Sequence, residues 1–351
     1  MKTNPAPLTR HLVERRVFRG SEMGMVDVGA SGGLDARWAV YGEQLRGWGF
    51  DPLEGEIERL NALGRKNVSY HAYWVGHKHH QELFEQVPSA RPDRPALSND
   101  PGLRFSVWKV LTPAESDKTY DGSGSQRKTE QRIDLDDFFP QGARQAVDFI
   151  KTDTDGQDYE VLLGATALLR DGPVLGIQAE CNFHGRLHPH AQAFANLDRF
   201  MREAGFSLFD MSVYRYSRAA LPSRFVWNSP GPTEKGQLWW GDFLYFRDFG
   251  DAAYEDNWGT RPPVIKLLKL ASCFELYDLA DCAAEVLLKY ERDLAPLIDV
   301  AYCLDLLTAG STGGHRSYRQ YVDRFLKEPT AFYASAPPLV VRASDEGKRR
   351  R

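Results

Sequence analysis

The sequence predicts an α/β fold: a mostly parallel, doubly wound sheet with an antiparallel edge, followed by a C-terminal helical appendage. Two observations predict it. Short apolar runs typical of buried strands alternate with runs of helical spacing over the first two thirds of the chain, which is the pattern of a parallel sheet with helices on both faces. From about residue 262 onward the spacing is helical only.

The strand-like runs occur in a regular order along the chain. The first is MGMVDVGA, and a helix is expected over 35–48 because Trp38, Tyr41 and Leu45 share one side. A second strand ends in GFDP, and the later parallel strands are NVSYHAYWVG, AVDFIKTDTDG and PVLGIQAECNF. Two final strand-like runs, FSLFDMSVYRYSR and LWWGDFLYFRD, suit an antiparallel addition at the sheet edge.

The alternation also predicts how the chain is divided. We expect a sheet domain over residues 1–255, a helical appendage over 261–332 and a flexible tail over 333–351. Residues 77–132 are rich in Pro, Gly and charge, and they interrupt the alternation as a long loop. Such loops are either functional lids or connections without fixed structure, and both interpretations stay open.

Composition excludes several classes of protein. Lys and Arg number 44 against 48 Asp and Glu, so the net charge of −4 gives no reason to expect nucleic acid or a membrane as partner. The four cysteines form no CxxC motif, and their spacing is typical of free thiols in a reducing compartment. The N-terminus lacks the apolar core of a signal peptide, so we expect a cytoplasmic protein. A homodimer formed through the appendage is one arrangement the sequence allows.

The segment VDVGASGG places a glycine-rich turn after the first strand, where ligands bind to a doubly wound sheet. Gly29 and Gly33 have no Cβ, so a ligand could contact the backbone of the turn directly, and Ala30 and Ser31 complete the turn. The GxGxxG spacing of nicotinamide sites is not met. The absence of Gly-Lys-Ser/Thr excludes a phosphate-binding P-loop.

Two acidic residues indicate the chemical class of the expected ligand. Asp27 precedes the turn, and a carboxylate there repels a pyrophosphate but suits a cation or an amino group. Asp51 ends the second strand, where an acid accepts hydrogen bonds from ribose hydroxyls; the alternative is an N-cap ahead of Pro52 and the next helix. Together they indicate S-adenosylmethionine, a nucleoside with a cationic arm. Tyr73, in the third strand-like run, is included with the predicted cofactor-binding residues.

The segment IKTDTDGQDYEVLLGA is the most specific part of the sequence. Asp153 and Asp155 end a buried strand, Gly156 permits a sharp turn, and an amphipathic helix follows. With the glycine turn, Asp51 and a later strand ending in Glu180, it resembles the FkbM family of S-adenosylmethionine-dependent methyltransferases over about residues 24–250.

The resemblance implies a Rossmann-like class I methyltransferase fold and S-adenosyl-L-methionine as cofactor. Three positions depart from the family pattern: Ser31 stands for the usual Asn, Asp51 for Glu, and Asp155 for the frequent Glu. These changes keep the polar chemistry and leave the pocket geometry open.

Methyl transfer needs a positioned nucleophile and a base. Asp153, Glu180 and His184 are the predicted catalytic residues because they follow neighbouring strands. Asp153 is alternatively a structural carboxylate that binds backbone N–H groups. Oxygen and nitrogen ligands at these strand ends are compatible with a divalent metal, but nothing in their spacing demands one, and no metal site is predicted.

The sequence therefore predicts an O-methyltransferase that acts on a hydroxyl of a sugar, glycan or small secondary metabolite. Two other functions stay open. One is a non-catalytic nucleoside-binding or glycan-assembly module on the same fold, which would keep the glycine turn without needing Asp153. The other is a nicotinamide oxidoreductase, against which Asp27 and the missing GxGxxG argue.

Overall fold

The computed structural model describes residues 6–85, 127–154, 156–184, 188–216, 224, 232–253, 261–308 and 317–332. Nine strands occur in these ranges: β1 (Met23–Val28), β2 (Leu45–Asp51), β3 (Val68–Ala72), β4 (Trp74–Val75), β5 (Arg132–Ile133), β6 (Phe149–Thr152), β7 (Gly176–Asn182), β8 (Ser207–Tyr216) and β9 (Gln237–Phe246).

Seven of the strands form one sheet in the order β3-β2-β1-β6-β7-β9-β8. The first five run parallel, and β9 lies antiparallel between β7 and β8. The predicted mostly parallel sheet with an antiparallel edge is confirmed. The run NVSYHAYWVG, expected as one strand, is instead two: β3 belongs to this sheet, and β4 pairs with β5 in a second, two-stranded sheet. Because the chain builds outward from β1 in both directions, the carboxyl ends of β1 and β6 flank the crevice where such sheets bind ligands.

Helices cover both faces of the sheet. Eleven α-helices lie in the described ranges: α1 (Pro7–Glu14), α2 (Glu54–Ala62), α3 (Leu135–Phe138), α4 (Asp158–Leu163), α5 (Thr166–Asp171), α6 (Phe194–Glu203), α7 (Val264–Leu276), α8 (Ala280–Lys289), α9 (Glu291–Leu294), α10 (Val300–Thr308) and α11 (Tyr318–Lys327). The helices from α7 onward agree with the predicted helical C-terminal part.

Successive strand residues point to opposite faces, so the sheet separates two apolar cores. Val26 and Ile150 face one core together with α4, α5 and α6. Met25 and Phe149 face the other, which also contains residues of α1, α7, α8 and α10. The boundary between sheet domain and appendage stays a prediction; in the structure both parts contribute side chains to this second core.

The helix expected over 35–48 is wrong in its second half. A 3₁₀ helix covers Ala36–Gln44, and the backbone then becomes the extended strand β2 from Leu45. Gly42 interrupts the helix with φ 53° and ψ −122°, a conformation that side-chain-bearing residues rarely adopt. Trp38 and Tyr41 are buried as expected, but Leu45 is buried from a strand.

The long loop is only partly described. Strand β4 precedes the loop and pairs in parallel with β5 at its end. Near these strands, Glu160 of α4 accepts hydrogen bonds from His80 and Arg132. Residues 86–126 and the predicted tail, 333–351, lie outside the described residues. Within the ranges that are described, none of the helices combines the length and the apolar character needed to cross a membrane.

Candidate cofactor and active site

The glycine turn is held tightly against the ends of β2 and β6. The N–H groups of Gly29 and Ala30 both donate to the carbonyl of Phe50 at 2.9 Å. Gly29 has φ +85°, and a Cβ at this position would lie 1.8 Å from the carbonyl oxygen of Asp153. Only glycine fits between the two backbones, so the turn brings the first strand end directly against the strand that carries Asp153.

The second half of the turn is supported by α2. The N–H of Gly32 donates to Glu56 Oε1 at 2.8 Å, and the N–H of Gly33 donates to the carbonyl of Ala30 at 2.9 Å. Hydrogen bonds from Arg59 lower the pKa of Glu56 to about 2, so this carboxylate stays charged at neutral pH. Ser31 is exposed at the tip of the turn, where its backbone and hydroxyl are accessible.

Asp27 is buried at the end of β1 and has a direct cationic neighbour that the sequence analysis did not assign. Lys151 lies opposite Asp27 in the register of β1 and β6, with Nζ 3.4 Å from Asp27 Oδ1 and 3.1 Å from Asp153 Oδ2. Burial raises the pKa of Asp27 to about 6, although the charge of Lys151 opposes the shift. The three groups form a continuous charged row at the switch point.

Asp51 lies at the end of β2 and is also buried. Its Oδ1 accepts the N–H of Leu53 at 2.9 Å in the turn ahead of α2. The alternative role as N-cap of α2 is wrong, because Leu53 is the N-cap of that helix and no side chain caps it. Burial raises the pKa of Asp51, and the N–H groups of Leu53 and Ser31 partly oppose this. A carboxylate has several acceptor positions, so the turn does not use up its capacity to bind ribose hydroxyls.

The remaining predicted cofactor residues take different positions. Ala30 is buried among Ile57, Leu60 and Tyr70, and its N–H and carbonyl are both hydrogen-bonded within the protein, so its part in cofactor binding stays a prediction. Tyr73 is partly buried and packs against the core that contains Val26 and Ile150. Its role in cofactor binding stays a prediction.

Glu180 faces a second acid that the sequence analysis missed. Asp242 of β9 lies directly opposite Glu180 of β7, and Tyr214 of β8 donates its hydroxyl to Asp242 Oδ2 at 3.3 Å. Burial raises the pKa of Asp242, and the charge of Asp153 raises it further. Like charges in register cost stability, and such pairs are typical of functional sites.

The other two acid–base candidates are both exposed. The side chain of Asp153 is 52% exposed at the sheet edge. His184 is also exposed, and its Nε2 lies 2.7 Å from the carbonyl oxygen of Leu238 and 3.0 Å from Nε2 of Gln237. Asp155 lies outside the described residues. In the described ranges, no group of three or more His, Cys, Asp or Glu side chains is arranged to hold a metal ion.

The family model described as the methyltransferase FkbM domain matches residues 27–208, more than half of the chain. No curated protein matches the chain. Similar solved structures include an S-adenosylmethionine-dependent methyltransferase from Aquifex aeolicus, which is 14% identical, covers 70% of this chain and 94% of its own, and has a TM-score of 0.29.

A second similar structure is the 1,6-didemethyltoxoflavin-N1-methyltransferase of Burkholderia thailandensis, solved with S-adenosylhomocysteine. It is 16% identical, covers 70% of this chain and 79% of its own, and has a TM-score of 0.27. A third is magnesium protoporphyrin IX methyltransferase of Synechocystis PCC 6803, at 10% identity, with coverages of 69% and 79% and a TM-score of 0.27.

The sheet order, with its antiparallel final pair and its acid–glycine turn at the switch point, defines a class I, Rossmann-like methyltransferase fold. The chain belongs to the FkbM methyltransferase family, and it is a methyltransferase that depends on S-adenosylmethionine.

The side chains at the switch point fit this cofactor. Asp27, Asp51 and Glu56 are carboxylates gathered around the glycine turn, and they suit a sulfonium and an ammonium group better than a phosphate. The glycine turn leaves backbone open to a ligand at Gly32, because no atom lies within 4 Å of the position that a Cβ of Gly32 would take.

Proposed function

We propose that the enzyme methylates a hydroxyl oxygen of a sugar, glycan or small secondary metabolite. The observation that supports this proposal best is a set of carboxylates that continues the charged row from Asp27 and Lys151: Asp153 directly after β6, Glu180 of β7 and Asp242 of β9. A hydroxyl is a poor nucleophile until a base accepts its proton, and a carboxylate near the acceptor supplies that base.

In this proposal Asp153 is the base. S-adenosylmethionine, when bound, supplies an electrophilic methyl group on its sulfonium. Asp153 accepts the proton of the acceptor hydroxyl while the O–CH₃ bond forms, and S-adenosylhomocysteine leaves with the electron pair of the broken S–CH₃ bond. Lys151, 3.1 Å from Oδ2, holds the carboxylate in place. Glu180 and His184 are the alternative bases on the neighbouring strand.

Asp153→Asn tests this role. We expect turnover to fall about 100-fold or more, the usual contribution of a general base, while the affinity for S-adenosylhomocysteine changes little. Asp137→Asn, at an exposed carboxylate of α3, is the control and keeps full activity. The readout is transfer of a labelled methyl group, with binding followed by calorimetry on the same samples. Full activity of Asp153→Asn would remove Asp153 as base.

The acceptor class needs its own experiment. We expect labelled methyl transfer to hydroxylated acceptors, screened as panels of sugars, glycans and small secondary metabolites, and expect their matched deoxy analogues to be inactive. The methylated atom is then identified by mass spectrometry and NMR. Transfer to nitrogen or carbon, with no product from hydroxyl acceptors, would contradict O-methylation without affecting the cofactor assignment.

A further inference from the structure

A second cation lies on the same face of the sheet as the charged row, contributed by the segment after the glycine turn. Arg37 belongs to the 3₁₀ helix Ala36–Gln44, and its Nε is 3.2 Å from Asp35 Oδ2. We propose that Arg37 binds the α-carboxylate of the methionine arm of S-adenosylmethionine, with Asp27 on the side of the ammonium group. This rests on the cofactor use that family membership establishes and is independent of the acceptor.

The position of Arg37 is fixed by a tyrosine from the C-terminal part of the chain. The guanidinium carbon of Arg37 lies 4.3 Å from the ring centroid of Tyr277, the residue that follows α7. The ring of Tyr277 stacks on Phe149 of β6, with centroids 5.3 Å apart and planes 20° apart. Arg37 is therefore held above the sheet by a cation–π contact rather than extended into solvent.

The same tyrosine connects Arg37 to the charged row. The hydroxyl of Tyr277 donates to Gln178 Oε1 at 3.0 Å. Gln178 is the register neighbour of Lys151, and Lys151 is the register neighbour of Asp27. Tyr277 is thus hydrogen-bonded to the strand next to Lys151, and Arg37 lies over its ring.

The order of the strands indicates the direction in which the methionine arm of the cofactor would extend. Asp51, the predicted ribose acid, ends β2, and the sequence of adjacent strands from there is β2, β1, β6. Neighbouring strands are about 4.8 Å apart, so β2 and β6 are separated by about 10 Å. The chain of single bonds between ribose and carboxylate is long enough to span that distance, from Asp51 across Asp27 to Arg37.

Arg37 is better suited to the carboxylate than Lys151. In the described residues, Lys151 already has two carboxylates within 3.4 Å, whereas Arg37 has Asp35 alone within salt-bridge distance. Arg37 uses Nε for that contact, which leaves its terminal N–H groups for a planar, bidentate interaction. Its side chain is 29% exposed, so a ligand can reach it. Without a cation, the acidic edge would repel the arm's carboxylate.

Three ligands separate the parts of the cofactor in a binding experiment. S-adenosylhomocysteine carries the whole arm, its decarboxylated analogue lacks only the carboxylate, and 5′-methylthioadenosine lacks both charged groups. Each is titrated calorimetrically into the wild-type chain and into Arg37→Met, which keeps the unbranched stem over Tyr277. Arg46→Met is the matched control, because Arg46 also stacks on an aromatic ring, that of Trp48 near the start of β2.

We expect Arg37→Met to bind S-adenosylhomocysteine about 10- to 100-fold more weakly, the range for loss of a charge-assisted hydrogen-bonded pair. The decarboxylated analogue and 5′-methylthioadenosine should bind both proteins within about two-fold, and Arg46→Met should behave as wild type. Arg37→Lys, which keeps the charge without the fork, should fall between, and it replaces Arg37→Met if that variant does not fold.

Two results would overturn the proposal. Equal affinity of Arg37→Met and wild type for S-adenosylhomocysteine would show that Arg37 does not contact the carboxylate. An equal loss for all three ligands would show that Arg37 only supports the pocket. Failure of the wild type to bind S-adenosylhomocysteine at all would instead refute the cofactor assignment, and the inference with it; failure of O-methylation alone would leave it intact.

Discussion

Asp27 shows how one residue combines a structural cost with a binding role. It is 2% exposed, and burial raises its pKa from the ordinary value of 3.8 to about 6, with Lys151 opposing the shift. The folded protein therefore holds the proton more tightly than the unfolded chain. A group of this kind stabilises the fold below about pH 4, and the contribution is lost as the pH rises through about 6.

We predict that Asp27→Asn removes this pH dependence. The free energy of unfolding of the variant should increase relative to wild type between pH 4.5 and 7.5, by at most about 3 kcal/mol. Urea unfolding at a series of pH values measures the difference, and Asp323→Asn, at an exposed position of α11, is the control. A constant difference across this range would mean that Asp27 has no raised pKa in the folded protein.

Some site residues could be predicted from the sequence, whereas others could not because only tertiary contacts bring them to the site. Asp27 lies among the last residues of β1, next to the turn, and Asp153 directly follows β6, and strand ends are visible in a pattern of apolar runs. Lys151, Asp242 and Arg37 are recognised only through cross-strand register and through contact with Tyr277, which is far away in the chain. Lys151 did give a signal, a charge inside an otherwise buried strand, whereas Arg37 gave none.

At the scale of elements, the turn between β1 and the 3₁₀ helix contains two glycines with the same φ and different surroundings. Gly29 and Gly32 both have φ +85°. A Cβ at Gly29 would overlap the carbonyl oxygen of Asp153 at 1.8 Å, while a Cβ at Gly32 would meet nothing within 4 Å. The pair therefore separates backbone strain from steric exclusion.

We predict that Gly32→Ala lowers the free energy of unfolding by about 1–2 kcal/mol, the cost of the left-handed conformation. Gly29→Ala adds a backbone overlap that must separate β1 from β6, so we expect at least about 2 kcal/mol more. Urea unfolding compares the two variants directly. Similar costs at both positions would mean that the turn moves away from β6 without penalty.

Strands and helices with strong apolar periodicity were predicted correctly. The prediction failed where a single backbone angle determined the end of a helix. The parallel strands and the antiparallel pair follow from runs of apolar residues, which is why they were recognised. The helix expected over 35–48 failed because Trp38, Tyr41 and Leu45 fit a helical stripe, yet the backbone at Gly42 ends the helix before Leu45. Side-chain spacing does not record such a break.

At the scale of the whole molecule, the C-terminal helices are attached to the sheet by charge as well as by apolar packing. Asp148, directly before β6, is fully buried and pairs with Lys266 and Lys269 of α7, the latter at 2.6 Å. Asp148 Oδ2 also accepts the N–H of Gly24 in β1 at 2.8 Å, and Lys269 donates to the carbonyl of Glu22 at 2.7 Å. This network lies in the described sheet at the end opposite the cofactor site.

The network should make the sheet and the C-terminal helices unfold together. We predict that Asp148→Asn costs about 3–5 kcal/mol, because it leaves two buried lysines without their counter-charge. Lys266→Met should cost far less, since burial already lowers the pKa of Lys266 and the remaining pair of Asp148 and Lys269 stays balanced. Calorimetry should show one transition for the wild type and both variants. Equal costs would refute the charge-balance explanation. Two separate transitions would show that the helices form an independent unit whose loss leaves the sheet folded, and Tyr277, whose ring contacts Arg37, comes from that part of the chain.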